Sequence, residues 1–262
     1  MGELLIGTSG FSYRDWRGVF YPESIKPGMM LEFYAAHFPL LELDFSYYRM
    51  PDYKTMAGME RRTPDGFLFA VKAHQSMTHA FSGNSEIDRE AFRTFRAALE
   101  PLRAQGKLGC VLVQFPWSFQ YTPANLSYLR FVREELSDDP VVVEFRNAQW
   151  VRKEVTHFLV EHQLGFCCVD EPRLKGLFPP VVGATSDLGY IRFHGRNAAK
   201  WWKHEQPWER YDYLYTRKEL EEWQPKVLKL MSQTRRTMVL FNNCHAGQAV
   251  INTRMLRELM GL

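Results

Sequence analysis

Short apolar runs alternate with amphipathic stretches along the whole chain. The runs cover residues 4–7, 40–45, 67–72, 109–114, 141–145, 166–170, 190–194 and 238–242. Each has the length of a strand, and most are nearly continuous in apolar residues rather than alternating. Strands covered on both faces read this way, and parallel sheets are covered on both faces by their crossover helices. Between the runs lie helical patterns. In residues 87–105 the apolar positions Phe92, Phe95, Leu99 and Leu102 recur at helical spacing, and Gly106 follows as a stop. Residues 123–136 carry Leu126, Leu129 and Val132 on one face, and residues 153–164 carry Val155, Phe158, Leu159 and His162. Residues 218–233 carry Leu220, Trp223, Val227 and Leu230, but Pro225 lacks an amide donor and is expected to kink or split that helix. Residues 171–187 are rich in Pro and Gly and have no helical period, so the sixth unit is expected to be irregular.

Sustained strand–helix alternation predicts a parallel sheet with helices outside. About eight units in 262 residues match a closed α/β barrel of the TIM (β/α)8 type. A doubly wound open sheet would carry a GxGxxG phosphate loop after its first strand. Here that strand ends Gly7-Thr8-Ser9-Gly10. No break in composition marks a second domain, so residues 1–262 are expected to form one barrel.

A chain of this length buries roughly 70–75% of its unfolded surface and needs no disulfide or structural metal to fold. The formal net charge is +3, which leaves nucleic acid open as a partner without favouring it. Four cysteines form no CxxC pair, and Cys110 and Cys167 sit inside apolar runs, as free thiols in a reducing compartment do. The first residues lack the basic-then-apolar pattern of a signal peptide, and no apolar run approaches the ~20 residues of a membrane span. A cytoplasmic protein with no membrane partner is expected.

In a barrel of this type chemistry gathers where strands run into the loops that follow them. Nearly every run here ends in polar residues: Ser9; Glu42 and Asp44 with Tyr48 beyond; Lys72 with His74 and His79; Gln114; Glu144 and Arg146; Asp170; Arg192, His194 and Arg196; Asn242. Strand side chains alternate in direction, so Glu144 shares a face with Arg146, and Arg192 with His194. Converging buried charges are costly unless they pair or serve a ligand. Both remain open for any one residue, and an ion network filling the barrel is the plain alternative. Lys72, Arg146, Arg192 and Arg196, with His79 and His194, outnumber Glu42, Glu144 and Asp170. That surplus favours a small anionic or phosphorylated ligand, because Arg binds phosphate or carboxylate in a bidentate way.

Three chemistries fit. In the first, Glu144 or Asp170 is the base, His194 or His79 the acid, and the arginines stabilise charge. In the second, Glu42, Glu144, Asp170 and His194 hold a divalent metal for isomerase or phosphoesterase chemistry, although no HxH or HExxH spacing supports it. In the third, Lys72 forms a Schiff base. No cofactor is otherwise expected. Separately, the loop 196–215 interleaves Trp201, Trp202, Trp208 and Tyr211 with Lys200, Lys203 and Arg210. Such a loop forms either a lid on the barrel rim or a platform for single-stranded nucleic acid.

Six segments, read together, resemble the YecE-like family, domain of unknown function 72. They are IGTSGFSYRDWRGVFYP, LELDFSYYRMP, TPDGFLFAVKAHQSMTH, VVVEFRNAQW, YIRFHGRN with YDYLY, and FNNCHAGQAVINTRML. The resemblance covers almost the whole chain and implies a TIM-type barrel but no particular reaction. It singles out Ser9, Gly10, Trp16, Glu42, Tyr48, Lys72, Thr78, His79, Gln114, Glu144, Arg146, Trp150, Asp170, Arg192, His194, Gly195 and Asn242. The segment 44–48 reads DFSYY where the family pattern is closer to NSTFY, which leaves the role of the second strand's end open.

Overall fold

The computed structural model describes residues 2–83 and 85–262. Eight strands, β1 (Glu3–Ser9), β2 (Leu40–Leu43), β3 (Leu68–Lys72), β4 (Leu108–Gln114), β5 (Val141–Glu144), β6 (Gly165–Asp170), β7 (Leu188–Phe193) and β8 (Arg236–Phe241), pair in parallel in sequence order. β8 closes on β1, with Glu3 opposite Arg236 and Thr8 opposite Phe241. The helices α1 (Met30–Ala35), α2 (Phe45–Tyr48), α3 (Tyr53–Arg61), α4 (Ser85–Ala104), α5 (Pro123–Glu135), α6 (Lys153–Glu161), α7 (Arg217–Glu221), α8 (Gln224–Gln233) and α9 (Gln248–Leu259) follow the strands in the pattern of a TIM (β/α)8 barrel. Every residue of β2 and β5 is buried, as the continuous apolar runs imply.

The helical stretch expected over 218–233 is two helices. The break falls at Glu222–Trp223, and Pro225 sits in the first turn of α8, where its missing amide leaves no bond unmade. No helix forms over 171–187. Its place on the barrel flank is a groove of about 400 Å³ lined by Phe145, Trp150, Phe166 and Phe178. The second run ends earlier than its hydropathy indicates, because Phe45 already belongs to α2. α9 buries Asn252 and Thr253 beside Val250 and Leu256, so its inner face reads as half polar. The Asn252 amide is fully used there, accepting from Tyr215 N at 3.1 Å and donating to Tyr215 O at 2.8 Å. Among the described residues no helix is long and apolar enough to cross a membrane.

Candidate active site

The alternation of strand side chains sorts the strand ends into two sets. Tyr190, Arg192 and His194 of β7 and its extension point into the barrel, where Tyr190 and Arg192 meet Glu42 and Arg192 and His194 meet Glu144. On β6, Cys167 lies 3.7 Å from Glu144 and so points inward, which turns Asp170 outward toward Trp223 at the α7–α8 break.

The inner set forms a buried floor. Arg192 lies between two carboxylates, donating from Nη2 to Glu42 Oε1 at 2.5 Å and from Nη1 to Glu144 Oε2 at 2.7 Å. Tyr190 donates its hydroxyl to the second Glu42 oxygen at 2.6 Å. Glu144 Oε1 lies 3.1 Å from His194 Nε2 and 2.6 Å from Arg146 Nε, the latter a charge contact too poorly aligned to be a hydrogen bond. Arg146 also donates from Nη1 to Glu171 Oε2 at 2.7 Å. Asn242 Nδ2 is 3.0 Å from His194 Nδ1. An amide N–H can only donate, so this contact assigns the ring proton to Nε2, aimed at Glu144.

These neighbours set the protonation states. Burial pushes the Glu144 carboxyl up, but Arg146, Arg192 and His194 outweigh it and hold the group well below the usual carboxylate range. For His194 burial dominates, Arg146 adds to it, and the ring stays neutral well below its ordinary value. Burial and the nearby Asp44 raise Glu42 despite Arg192. Burial, with Glu144 adding, raises Glu171 to about 7 against the pull of Arg146.

The raised Glu171 value makes a testable statement. A carboxyl whose folded pKa lies above its unfolded one contributes stability that is full below the unfolded value, about 4.3, and lost as pH rises through the folded one. Glu171→Gln fixes a neutral side chain there. Its stability relative to the unaltered protein should therefore rise as pH climbs from about 4.3 to above 7. Urea unfolding of both proteins across that range checks it, and a constant difference between them would remove the assignment.

Above the floor the mouth of the barrel divides into two clefts on either side of Tyr48 and Tyr211, which line both. One, of about 330 Å³, is lined by Lys72, His79, Arg146 and Arg210, with Gln114, Tyr47, Trp117, Trp201 and Trp202. No aspartate or glutamate is among its lining residues. The other, of about 530 Å³, is lined by Tyr13, Asp15, Asp44, Trp208, Asn242, Cys244 and His245. Asp44 stands between them. Its Oδ1 is buried without a hydrogen bond, 3.9 Å from Lys72 Nζ and 3.8 Å from Arg192 Nη2. Lys72 is further held over the Tyr47 ring at 4.6 Å, the setting of a positioned cation. His79 shares a proton with Thr78 Oγ1 at 2.9 Å through Nδ1. Burial, then Lys72 and Arg146, lower its pKa to about 4, so the ring is neutral at neutral pH.

The loop 196–215 covers this mouth. Trp201 is buried, with the Arg146 and Arg210 guanidinium groups 5.9 and 5.5 Å from its ring centre. Trp202 and Trp208 remain exposed, the latter stacked on His245 at 4.1 Å. The loop thus packs as a lid through Trp201 and still presents aromatic faces at its edge.

The strand-end residues named from sequence therefore fall into three places. Glu42, Glu144, Arg192 and His194 lie in the floor, with Asn242 reaching from it into the wider cleft. Ser9 is buried at the end of β1, and its hydroxyl has no hydrogen-bond partner among the described residues. Lys72, His79, Gln114, Arg146, Tyr48 and Trp201 line the narrower cleft. Asp170 and Arg196 lie outside both. Arg196 grips Asp170 with Nε and Nη2, each at 2.8 Å, while Tyr215 and Trp223 donate to the same carboxylate at 2.8 and 2.7 Å. That network ties the lid to α7, since Arg196 also pairs with Glu219 at 3.1 Å. The surplus of cations counted along the strands is likewise redistributed. Arg146 lies between Glu144 and Glu171 and Arg192 between Glu42 and Glu144, with Glu171 rather than Asp170 supplying the third inward carboxylate.

The metal-ligand set Glu42, Glu144, Asp170 and His194 is not assembled. Asp170 faces away, Glu42 and Glu144 are engaged by Arg192, and both His194 nitrogens are taken. Among the described residues no group of three or more His, Cys, Asp and Glu is placed to hold a metal ion. Glu171 goes unnamed in the sequence reading, and Asp44 appears there only among the polar residues ending the second strand. Glu171 had a usable signal, since one residue beyond the end of β6 it shares the face of Cys167 by period-two alternation. Arg210 came into view only as one basic residue of the loop.

The fold and its polar mouth define a TIM barrel with a candidate active site at the C-terminal ends of its strands. The chain matches the family described as Protein of unknown function DUF72 over residues 5–262, and it belongs to that family. It is 34% identical over 272 aligned residues to the UPF0759 protein YunF of Bacillus subtilis (strain 168), covering 99% of this chain and 95% of that one. It is also similar to the crystal structure of a DUF72 family protein (TM1631) from Thermotoga maritima MSB8, with a TM-score of 0.91 and 40% identity over 99% of this chain and 100% of that one. A DUF72 family protein (EF0366) from Enterococcus faecalis V583 superposes with a TM-score of 0.88 at 30% identity, covering 99% of this chain and 96% of that chain.

Proposed function

We propose that this protein is an enzyme acting on a phosphorylated or otherwise anionic substrate in the mouth of its barrel. The observation that carries the reading is the narrower cleft, which gathers Lys72, Arg146, Arg210 and His79 with no carboxylate in its lining. Arg146 is already paired with Glu144 and Glu171, but Lys72 meets only Asp44, at 3.9 Å, and Arg210 has no acidic partner among the described residues, so cationic donors remain open to an anion in the cleft. Lys72, Arg146 and Arg210 hold the anion, and Arg146 arrives aligned because Glu144 and Glu171 fix its guanidinium. His79 is the proton-transferring group. It is neutral at neutral pH, and its Nε2 makes no hydrogen bond among the described residues. Asp44, at the boundary of the two clefts, is the second candidate. Glu144 acts as a positioning residue, since it holds Arg146 of the cleft lining, and Glu42, Arg192 and His194 brace it from beneath.

A turnover screen across phosphate monoesters and diesters tests the proposal. The expected result is saturable turnover of at least one ester, inhibited competitively by inorganic phosphate. A blank screen over acid, neutral and alkaline pH, or turnover indifferent to inorganic phosphate, would count against it.

A further inference from the structure

The seven tryptophans divide sharply. Trp16, Trp150, Trp201 and Trp223 are buried, whereas Trp117, Trp202 and Trp208 are 43%, 51% and 46% exposed. All three exposed ones line the two clefts of the mouth. Tyr48, 74% exposed, stands at the boundary between them. Leaving large aromatic faces in water is unfavourable, and clustering them on one rim marks a recognition surface rather than chance exposure. These faces are also held in place. Trp117 donates its indole N–H to Gly176 O at 2.9 Å and meets Trp202 edge-to-face at 6.1 Å, while Trp208 lies flat on His245.

We infer that the anion bound in the narrower cleft carries a flat ring, so that the ligand is a nucleotide, either free or within a single strand. The inference rests on the anionic-substrate reading and narrows it. Cations that track a phosphate beside aromatic faces that accept a base from any direction are how proteins bind nucleotides without reading sequence. A plain sugar phosphate fits less well. It would leave the exposed faces of Trp117 and Trp202 beside the cleft uncovered. The phosphate lies against Lys72, Arg146 and Arg210, and the base against Trp117 and Trp202. A second base of a strand would reach Trp208 across Tyr48.

Quenching of intrinsic fluorescence by adenosine 5′-monophosphate, ribose 5-phosphate, adenosine and a short oligothymidylate tests this. The unaltered protein is compared with Trp202→Ala and with the double variant Trp117→Ala/Trp202→Ala, whose melting is checked alongside. Because quenching loses its reporters in the variants, calorimetry supplies their affinities. The expected result is that the nucleotide or the strand binds at least about tenfold more tightly than ribose 5-phosphate, the scale of one stacked base. The variants should lose that advantage while keeping ribose 5-phosphate binding. Tighter binding of oligothymidylate than of the mononucleotide would identify a strand as the source, and the reverse a free nucleotide. Equal binding of nucleotide, strand and sugar phosphate overturns the ring and leaves the anionic-substrate reading standing. Adenosine binding as tightly as its monophosphate overturns both. Absence of any binding overturns the ring, and the separate titration with pyrophosphate then judges the anion.

Discussion

Arg192→Met should destabilise the fold by about 3–5 kcal/mol, because removing one partner of a buried ion network leaves uncompensated charge behind. Glu42 and Glu144 both lose a hydrogen bond, at 2.5 and 2.7 Å, in a place water does not reach. Methionine fills much of the volume, so the loss is electrostatic rather than a cavity. For a chain of this size it corresponds to a melting point lower by roughly 6–20 °C. The loss should shrink in acid, since protonating Glu42 and Glu144 removes the unpaired charges. Thermal melts of both proteins at neutral and acid pH decide it. A variant within about 1 kcal/mol of the unaltered protein, the middle of the range for ordinary substitutions, would show that the floor is hydrated and its charges independent. This outcome also bears on choice of probes: Arg192 is a poor residue for testing catalysis, because its replacement disturbs the barrel first.

His79→Gln is the cleaner chemical test. If His79 moves the proton, the change should lower kcat by about 10²–10⁴-fold, the usual contribution of a positioned acid or base. Binding of the anion should change little, because Lys72, Arg146 and Arg210 remain. The pH profile gives a readout that a structural role would not move. Deprotonated His79 is the active form, so kcat/KM should fall as pH drops through about 4. That limb should vanish in His79→Gln. Full turnover by His79→Gln would shift the proton transfer to Asp44, to be tested in the same way. Glu144→Gln, the substitution that strand-end reading selects first, strips a carboxylate from Arg146, Arg192 and His194 together and so mixes stability with catalysis.

The barrel was legible in the sequence because both faces of each strand are covered. A single run such as residues 141–145 would also fit a buried helix, and it is the repetition of about eight such runs between helical patterns that singles out the barrel. The charged inward set was legible too, since period-two alternation pairs Glu144 with Arg146 and Arg192 with His194. Asp170 shows where that reasoning stops. Alternation says which residues share a face but not which face is inside, and only the contact of Cys167 with Glu144 settles it for β6. Depth was equally invisible. His194 and His79 read alike as histidines near strand ends, yet one is sealed between Glu144 and Asn242 while the other lines a cleft. The lid was legible as basic and aromatic, but the burial of Trp201 beside exposed Trp202 was not, since it involves neighbours distant in sequence such as Arg146.

Calorimetric titration with inorganic pyrophosphate, comparing the unaltered protein with Lys72→Met/Arg210→Met, tests most directly whether the mouth is an anion site. Both residues lie at the rim, and neither belongs to the buried floor, so the fold should survive their replacement. The expected result is saturable, salt-sensitive binding to the unaltered protein that is lost in the double variant. No binding at low salt, or equal binding to the folded variant, would mean that these cations serve the architecture and that the functional site lies elsewhere.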